Sequence, residues 1–223
     1  MFDLSILLPT CNDGRLLLRT FMEIDRRTHV PHEVIVYDRG SDDDITDGAL
    51  NLAHSIMGSR LIIIRGGPQV NLATALNRCA ERAKAQTLAW WFADATPTES
   101  ALDFATERVR SQSNHMLAAL AVDRTALQSI AREITVGESM FAVGAIDDRP
   151  IAELGVVSKS LLKSLGGFDE SLDGATAVAD VSLRAAESMV AVDPLPLAGV
   201  ERRRAEAIDI ALLRQRHPLR RAA

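Results

Sequence analysis

Asp3-Leu4-Ser5-Ile6-Leu7-Leu8-Pro9-Thr10-Cys11-Asn12 and Val34-Ile35-Val36-Tyr37-Asp38-Arg39-Gly40-Ser41-Asp42-Asp43-Asp44 are two apolar runs that each break into polar, turn-forming residues. Between them, Arg15 to Arg27 sets Leu16, Leu17, Leu18, Phe21, Met22 and Ile24 at helical spacing, and Pro31 closes the segment. The order is strand, loop, helix, strand, loop. Such a unit puts its two loops side by side at the carboxyl edge of a parallel sheet, where open α/β folds bind their ligands. Pro9–Gly14 and Asp38–Asp44 are therefore expected to be two walls of one site.

The pattern continues outward. Ser41-Asp42-Asp43-Asp44 is an N-cap cluster opening a helix over Ile45–Met57, and its acids suit the positive end of that helix. Leu61–Arg65 reads as a third strand, closed by Gly66-Gly67-Pro68. Asn71 then opens a helix with Leu72, Ala75, Leu76, Cys79, Ala80 and Ala83 as its buried stripe. Thr87–Phe92 is a fourth, nearly all-apolar strand, broken by Ala93-Asp94-Ala95-Thr96-Pro97. Its neighbours Trp90 and Trp91 point to opposite faces and read as core on each side. Alternation of this kind predicts an α/β fold with a doubly wound, mainly parallel sheet and helices on both faces.

The second half is less regular. Helices are expected over 100–111, 123–130, 159–165 and 175–187, strands over 115–122, 140–146 and 151–157, a short edge strand over 189–192, and an amphipathic helix over 201–216. Residues 1–100 and 101–200 would be two halves of one domain, followed by a basic helix and tail at 201–223.

Composition bounds the class. The 223 residues carry a net charge of −5, so the body is not a general nucleic-acid binder. Residues 201–223 hold seven arginines against three acids, a local +4 that leaves −9 on the rest. That last helix could lie on an anionic membrane surface, or dock on the acidic body or a second subunit; its small apolar side favours docking. Two distant cysteines, Cys11 and Cys79, fit a reducing compartment. No signal segment or membrane-length apolar run is present, so the chain reads as soluble and cytoplasmic. The five histidines form no pattern with a Ser or Cys that suggests a triad.

Five ordered segments resemble the family 2 glycosyltransferases, nucleotide-sugar transferases of GT-A fold. Leu4–Asn12 resembles their opening strand and Pro-Thr-Tyr-Asn loop, and Val34–Asp43 their Val-Val-Asp-Asp-Gly-Ser-x-Asp segment. Asn71-Leu72-Ala73 with Leu76-Asn77 resembles an Asn-x-Gly…Arg-Asn helix start. Leu165-Gly166-Gly167-Phe168-Asp169-Glu170-Ser171-Leu172 and Asp180–Ala185 resemble the Gly-Gly-Phe-Asp-Glu element and the helix after it. The resemblance implies transfer of a sugar from a nucleotide-diphosphate donor to a hydroxyl, in sugar or polysaccharide assembly. It also implies a Mg²⁺ or Mn²⁺ ion held by an Asp-x-Asp, and an acceptor-side carboxylate as general base.

Several implied residues are replaced. The Asp-x-Asp slot reads Ala93-Asp94-Ala95, the uracil-reading Asp is Arg39, the stacking Tyr is Cys11, and the Glu-Asp pair with the base falls at Ala177-Val178. Pro9, Thr10, Asn12, Asp38, Arg39, Arg65 and Asp94 remain as candidate nucleotide-binding residues. Asp38 either faces the nucleotide or caps its own loop. Arg39 and Arg65 either bind a diphosphate in place of a metal or pair with Asp42–Asp44. Asp94 alone is a poor cage for a hard divalent ion. Asp169 and Glu170 are the acids left on the acceptor side, as weak catalytic candidates or loop anchors. Three functions follow: a transferase, a catalytically inactive binding or scaffold subunit with a protein partner or second copy, or a metal-independent transferase.

Overall fold

The computed structural model describes residues 1–97, 99–119, 131–136, 139–146, 149–172, 174–195 and 208–218. Its first half is the expected alternation: β1 (Leu4–Thr10), α1 (Gly14–Arg27), β2 (His32–Asp38), α2 (Asp44–Met57), β3 (Leu61–Arg65), α3 (Leu72–Arg82) and β4 (Thr87–Trp90). Then come α4 (Ala101–Ser111), β5 (His115–Ala119), β6 (Ala131–Val136), β7 (Ser139–Ile146), β8 (Arg149–Ile151), β9 (Leu154–Ser158), α5 (Lys159–Ser164), α6 (Gly174–Glu187), β10 (Ala191–Pro194) and α7 (Ile210–Arg216). The expected helix at 123–130 lies outside the described residues. Of the one expected at 201–216, residues 201–207 also lie outside them.

Seven strands form one sheet in the order β10-β5-β9-β4-β1-β2-β3, and β6-β7-β8 form a second, antiparallel one. β1 runs parallel to β2 and β4, and β2 parallel to β3. The crossovers through α1 and α2 step in one direction across the sheet, whereas the one through α3 steps back. Right-handed connections therefore place α1 and α2 on one face, packed together, and α3 on the other. β1, β2 and β4 are buried along their whole length, which is why they read as apolar runs and not as alternating patterns.

One strand breaks the parallel rule. β9 is inserted antiparallel between β4 and β5. Its register sets Gly155 opposite Trp90, and a Cβ on Gly155 would fall 2.2 Å from the indole. Trp90 and Trp91 are both fully buried; their indole N–H groups donate to the Glu153 and Ala95 carbonyls at 3.0 and 2.8 Å. Trp90 also meets Phe168 edge-to-face at 5.4 Å, tying β4 to the loop after α5.

Glycine substitutions separate packing from propensity. Gly155→Ala should destabilise by about 1–3 kcal/mol through overpacking against Trp90. Gly48→Ala, in α2 with nothing near its would-be Cβ, should stabilise by about 0.5–1 kcal/mol. Urea denaturation midpoints check both; equal midpoints would refute the packing assignment.

Candidate functional site

The loops after β1 and β2 are bonded to each other before any ligand is considered. Asn12 adopts a left-handed backbone (φ +56°), a conformation Asn tolerates better than most residues. Its side chain then makes a reciprocal pair with Asp42: Asn12 Nδ2 donates to Asp42 Oδ1 at 2.9 Å, and Asp42 N–H donates to Asn12 Oδ1 at 3.0 Å. Asn12 N–H donates to Ser41 Oγ, and Arg39 N–H to the Thr10 carbonyl, both at 2.9 Å. Two residues on, α1 and α2 start so close together that a Cβ on Gly14 would lie 2.5 Å from the backbone of Ile45 and Thr46.

Asp38 sits beneath this clamp, buried. Its Oδ1 accepts from Ser41 N–H at 2.8 Å and its Oδ2 from Arg65 at 2.5 Å. The same Arg65 nitrogen reaches Asp47 at 2.7 Å. Both side chains thus brace the second loop from behind.

In front of the clamp lies an open cleft of about 560 Å³. Pro9, Thr10, Asn12, Arg39 and Asp94 line it; Asp38 and Arg65 are not among its lining residues. Asp13 and Asp43, inside the two expected walls, line it too, and so does Arg15, which lies outside them. Arg15 follows Asn12 by three residues in the first turn of α1, and that position is the signal that could have found it. Cys11, at the cleft, has its thiol pushed above the ordinary value, chiefly by burial, so it is not an activated nucleophile.

The turn at residues 166–170 is held as tightly. Asn77 on α3 accepts Phe168 N–H at 2.9 Å and donates to the Phe168 carbonyl at 2.9 Å and to Glu170 at 2.8 Å. Thr74 Oγ1 donates to the other Glu170 oxygen at 2.9 Å. Gly167 has φ +75°, and a Cβ there would lie 2.8 Å from Asn77 Oδ1, so this turn requires glycine. Asp169 accepts from Ser171 and, at 2.5 Å, from Arg216 at the end of α7. Those bonds, Ser171 foremost, pull its carboxyl down to about 2. So low a value makes a weak base. Buried Asp180 accepts from Arg184 at 2.6 Å and lies 2.7 Å from His217 Nε2; Arg184 also donates to the Leu165 and Gly167 carbonyls.

The described side chains form no ready-made cage for a divalent cation. Asp43 caps α2, with both oxygens on Thr46 at 2.8 and 2.6 Å. Asp13 Oδ2 faces Cys11 N–H at 3.3 Å and Thr10 Oγ1 at 3.5 Å. Asp94 is flanked by buried Ala93 and Ala95. Among the described residues, no group of three or more His, Cys, Asp or Glu side chains is placed to hold a metal ion, whereas hard divalent ions want several oxygen ligands.

Residues 5–113 match the sequence family described as Glycosyl transferase family 2. Three solved structures are similar in fold. The mannosyltransferase PcManGT from Pyrobaculum calidifontis, in complex with GDP-Man and Mn²⁺, aligns with TM-score 0.66 at 18% identity, over 91% of this chain and 58% of that one. GalNAc-T7 with UDP, GalNAc and Mn²⁺ aligns with TM-score 0.68 at 14% identity, over 88% and 43%. S. aureus TarS residues 1–349 aligns with TM-score 0.59 at 15% identity, over 86% and 57%. The chain thus spans only about half the length of the chains it resembles. No curated protein sequence matches it. Among the described residues, no helix is long and apolar enough to cross a membrane.

The Asp169 anchor has a pH signature. Its folded value lies below the ordinary one, so its stabilisation is present above about pH 4 and is lost as pH falls towards 2. Arg216→Ala should move the Asp169 titration upward in a carboxyl NMR experiment, with the Ser171 bonds retaining part of the shift. An unmoved titration would show that α7 does not hold this loop.

Proposed function

We propose that this chain, whose residues 5–113 match glycosyl transferase family 2, binds a nucleoside-diphosphate sugar in the cleft between the loops after β1 and β2. The reaction proposed for that donor is transfer of its sugar to an acceptor hydroxyl, in sugar or polysaccharide assembly. The observation that carries this reading is the cleft itself. It is pre-formed, lies at the carboxyl edge of parallel strands, and is walled by bonded loops with charged side chains at its rim. The solved structures of the same fold include proteins with GDP-Man and with UDP bound, which supports a donor of this class.

Transfer needs the proton of the attacking hydroxyl to be removed. At the positions where the family resemblance implies the base, Ala177 and Val178 are fully buried and cannot accept it. Glu170 is the more accessible acid on the acceptor side, and its oxygens already accept from Thr74 and Asn77. These observations favour a second reading, in which the chain binds the donor but is catalytically inactive and serves as a binding or scaffold subunit of another transferase.

A panel of nucleotide-sugars, assayed for binding and for sugar transfer or release, separates the two. Saturable binding with product formation supports the transferase. Binding without product, together with a tight complex with an active glycosyltransferase, supports the scaffold. A folded sample that binds no nucleotide-sugar contradicts both.

A further inference from the structure

We propose that Arg39 and Arg15 receive the donor's diphosphate directly, with no divalent cation between phosphate and protein; this rests on the nucleotide-sugar reading of the cleft. A diphosphate brought to this rim needs its negative charge met, and the carboxylates there do not form a metal cage. Guanidinium is the alternative, since its forked donors match phosphate oxygens two at a time.

Arg39 is already positioned for the task. It follows β2 directly, its N–H is fixed to the Thr10 carbonyl, and its Nε donates to the Val70 carbonyl at 2.8 Å. That last bond uses one edge of the guanidinium and holds the group at the cleft. Among the described residues, no acceptor lies against its terminal nitrogens. Arg15 lines the same cleft from the exposed first turn of α1, and no described carboxylate pairs with it either. Several other arginines are already paired. Arg60, Arg65, Arg184 and Arg216 are each held by a carboxylate within 2.7 Å. The two arginines at the cleft therefore present charge that the protein itself does not use.

Three acids share the lining: Asp13, Asp43 and Asp94. Asp43 is turned onto Thr46, and Asp13 faces Thr10 and Cys11 N–H. Their charge opposes an anion and sets the affinity lower than two free arginines alone would give. It also makes the site depend on both arginines.

The test is calorimetric titration of the intact protein with UDP and with GDP, in chelator and in excess Mn²⁺, for the native chain and for Arg39→Met, Arg39→Lys and Arg15→Ala. Equal affinity in chelator and Mn²⁺ is expected. Losing either arginine should weaken binding about tenfold to a hundredfold, as for a lost charge-assisted pair, with Arg39→Lys falling between. Arg15 is exposed on a helix, so its variant keeps the fold even if Arg39→Met does not. Binding that requires Mn²⁺ overturns the proposal and leaves the nucleotide-sugar reading standing. Unchanged affinity in Arg15→Ala and Arg39→Lys overturns it likewise. No nucleotide binding by the native chain under either condition overturns both.

Discussion

The reciprocal bond between Asn12 and Asp42 is the constraint on which the site depends. Two strand ends laid side by side do not by themselves make a pocket, because loops without partners are mobile. Here the amide of Asn12 satisfies the backbone and carboxylate of Asp42, and Gly14 lets α1 and α2 begin almost in contact. Asp38 and Arg65 brace the same loop from behind. The cleft is thus built by polar groups that bond each other, which leaves the side chains at its rim to deal with a ligand.

The same division runs through the second half of the chain. Asn77 and Arg184 bond the backbone of the Gly-Gly-Phe-Asp-Glu turn and the Leu165 carbonyl before it, Asp180 holds Arg184 and His217, and Arg216 holds Asp169. Residues that shape this turn are present in full. At the positions where the resemblance implies a metal and a base, the chain carries Ala93-Asp94-Ala95 and Ala177-Val178. Architecture and chemistry are separable in this fold because bonds within the loops, not bonds to the ligand, stabilise the loops.

Much of this could be read from the chain. The apolar runs of β1, β2 and β4 mark buried parallel strands, and the abrupt polar breaks after them mark the loops that face each other. The adjacent tryptophans do fall on two faces of the sheet and are both core. Other features depend on partners distant in sequence. Leu154–Ser158 carries no mark of strand direction, and only its place between β4 and β5 makes it antiparallel. Arg65 was one of two candidates for a phosphate, and the β2–β3 register sets it beside Asp38 instead. Arg15 reads as one more exposed helical residue until the cleft is seen around it. Asp169 finds Arg216 across 47 residues, a pairing that no local pattern encodes.

The most direct measurement is a crystal structure with a nucleoside diphosphate and Mn²⁺ both present, with diffraction recorded at the manganese absorption edge. The account predicts phosphate oxygens on the guanidinium groups of Arg39 and Arg15, with no anomalous peak between the diphosphate and Asp94. A manganese peak bridging the phosphates and Asp94 would contradict it.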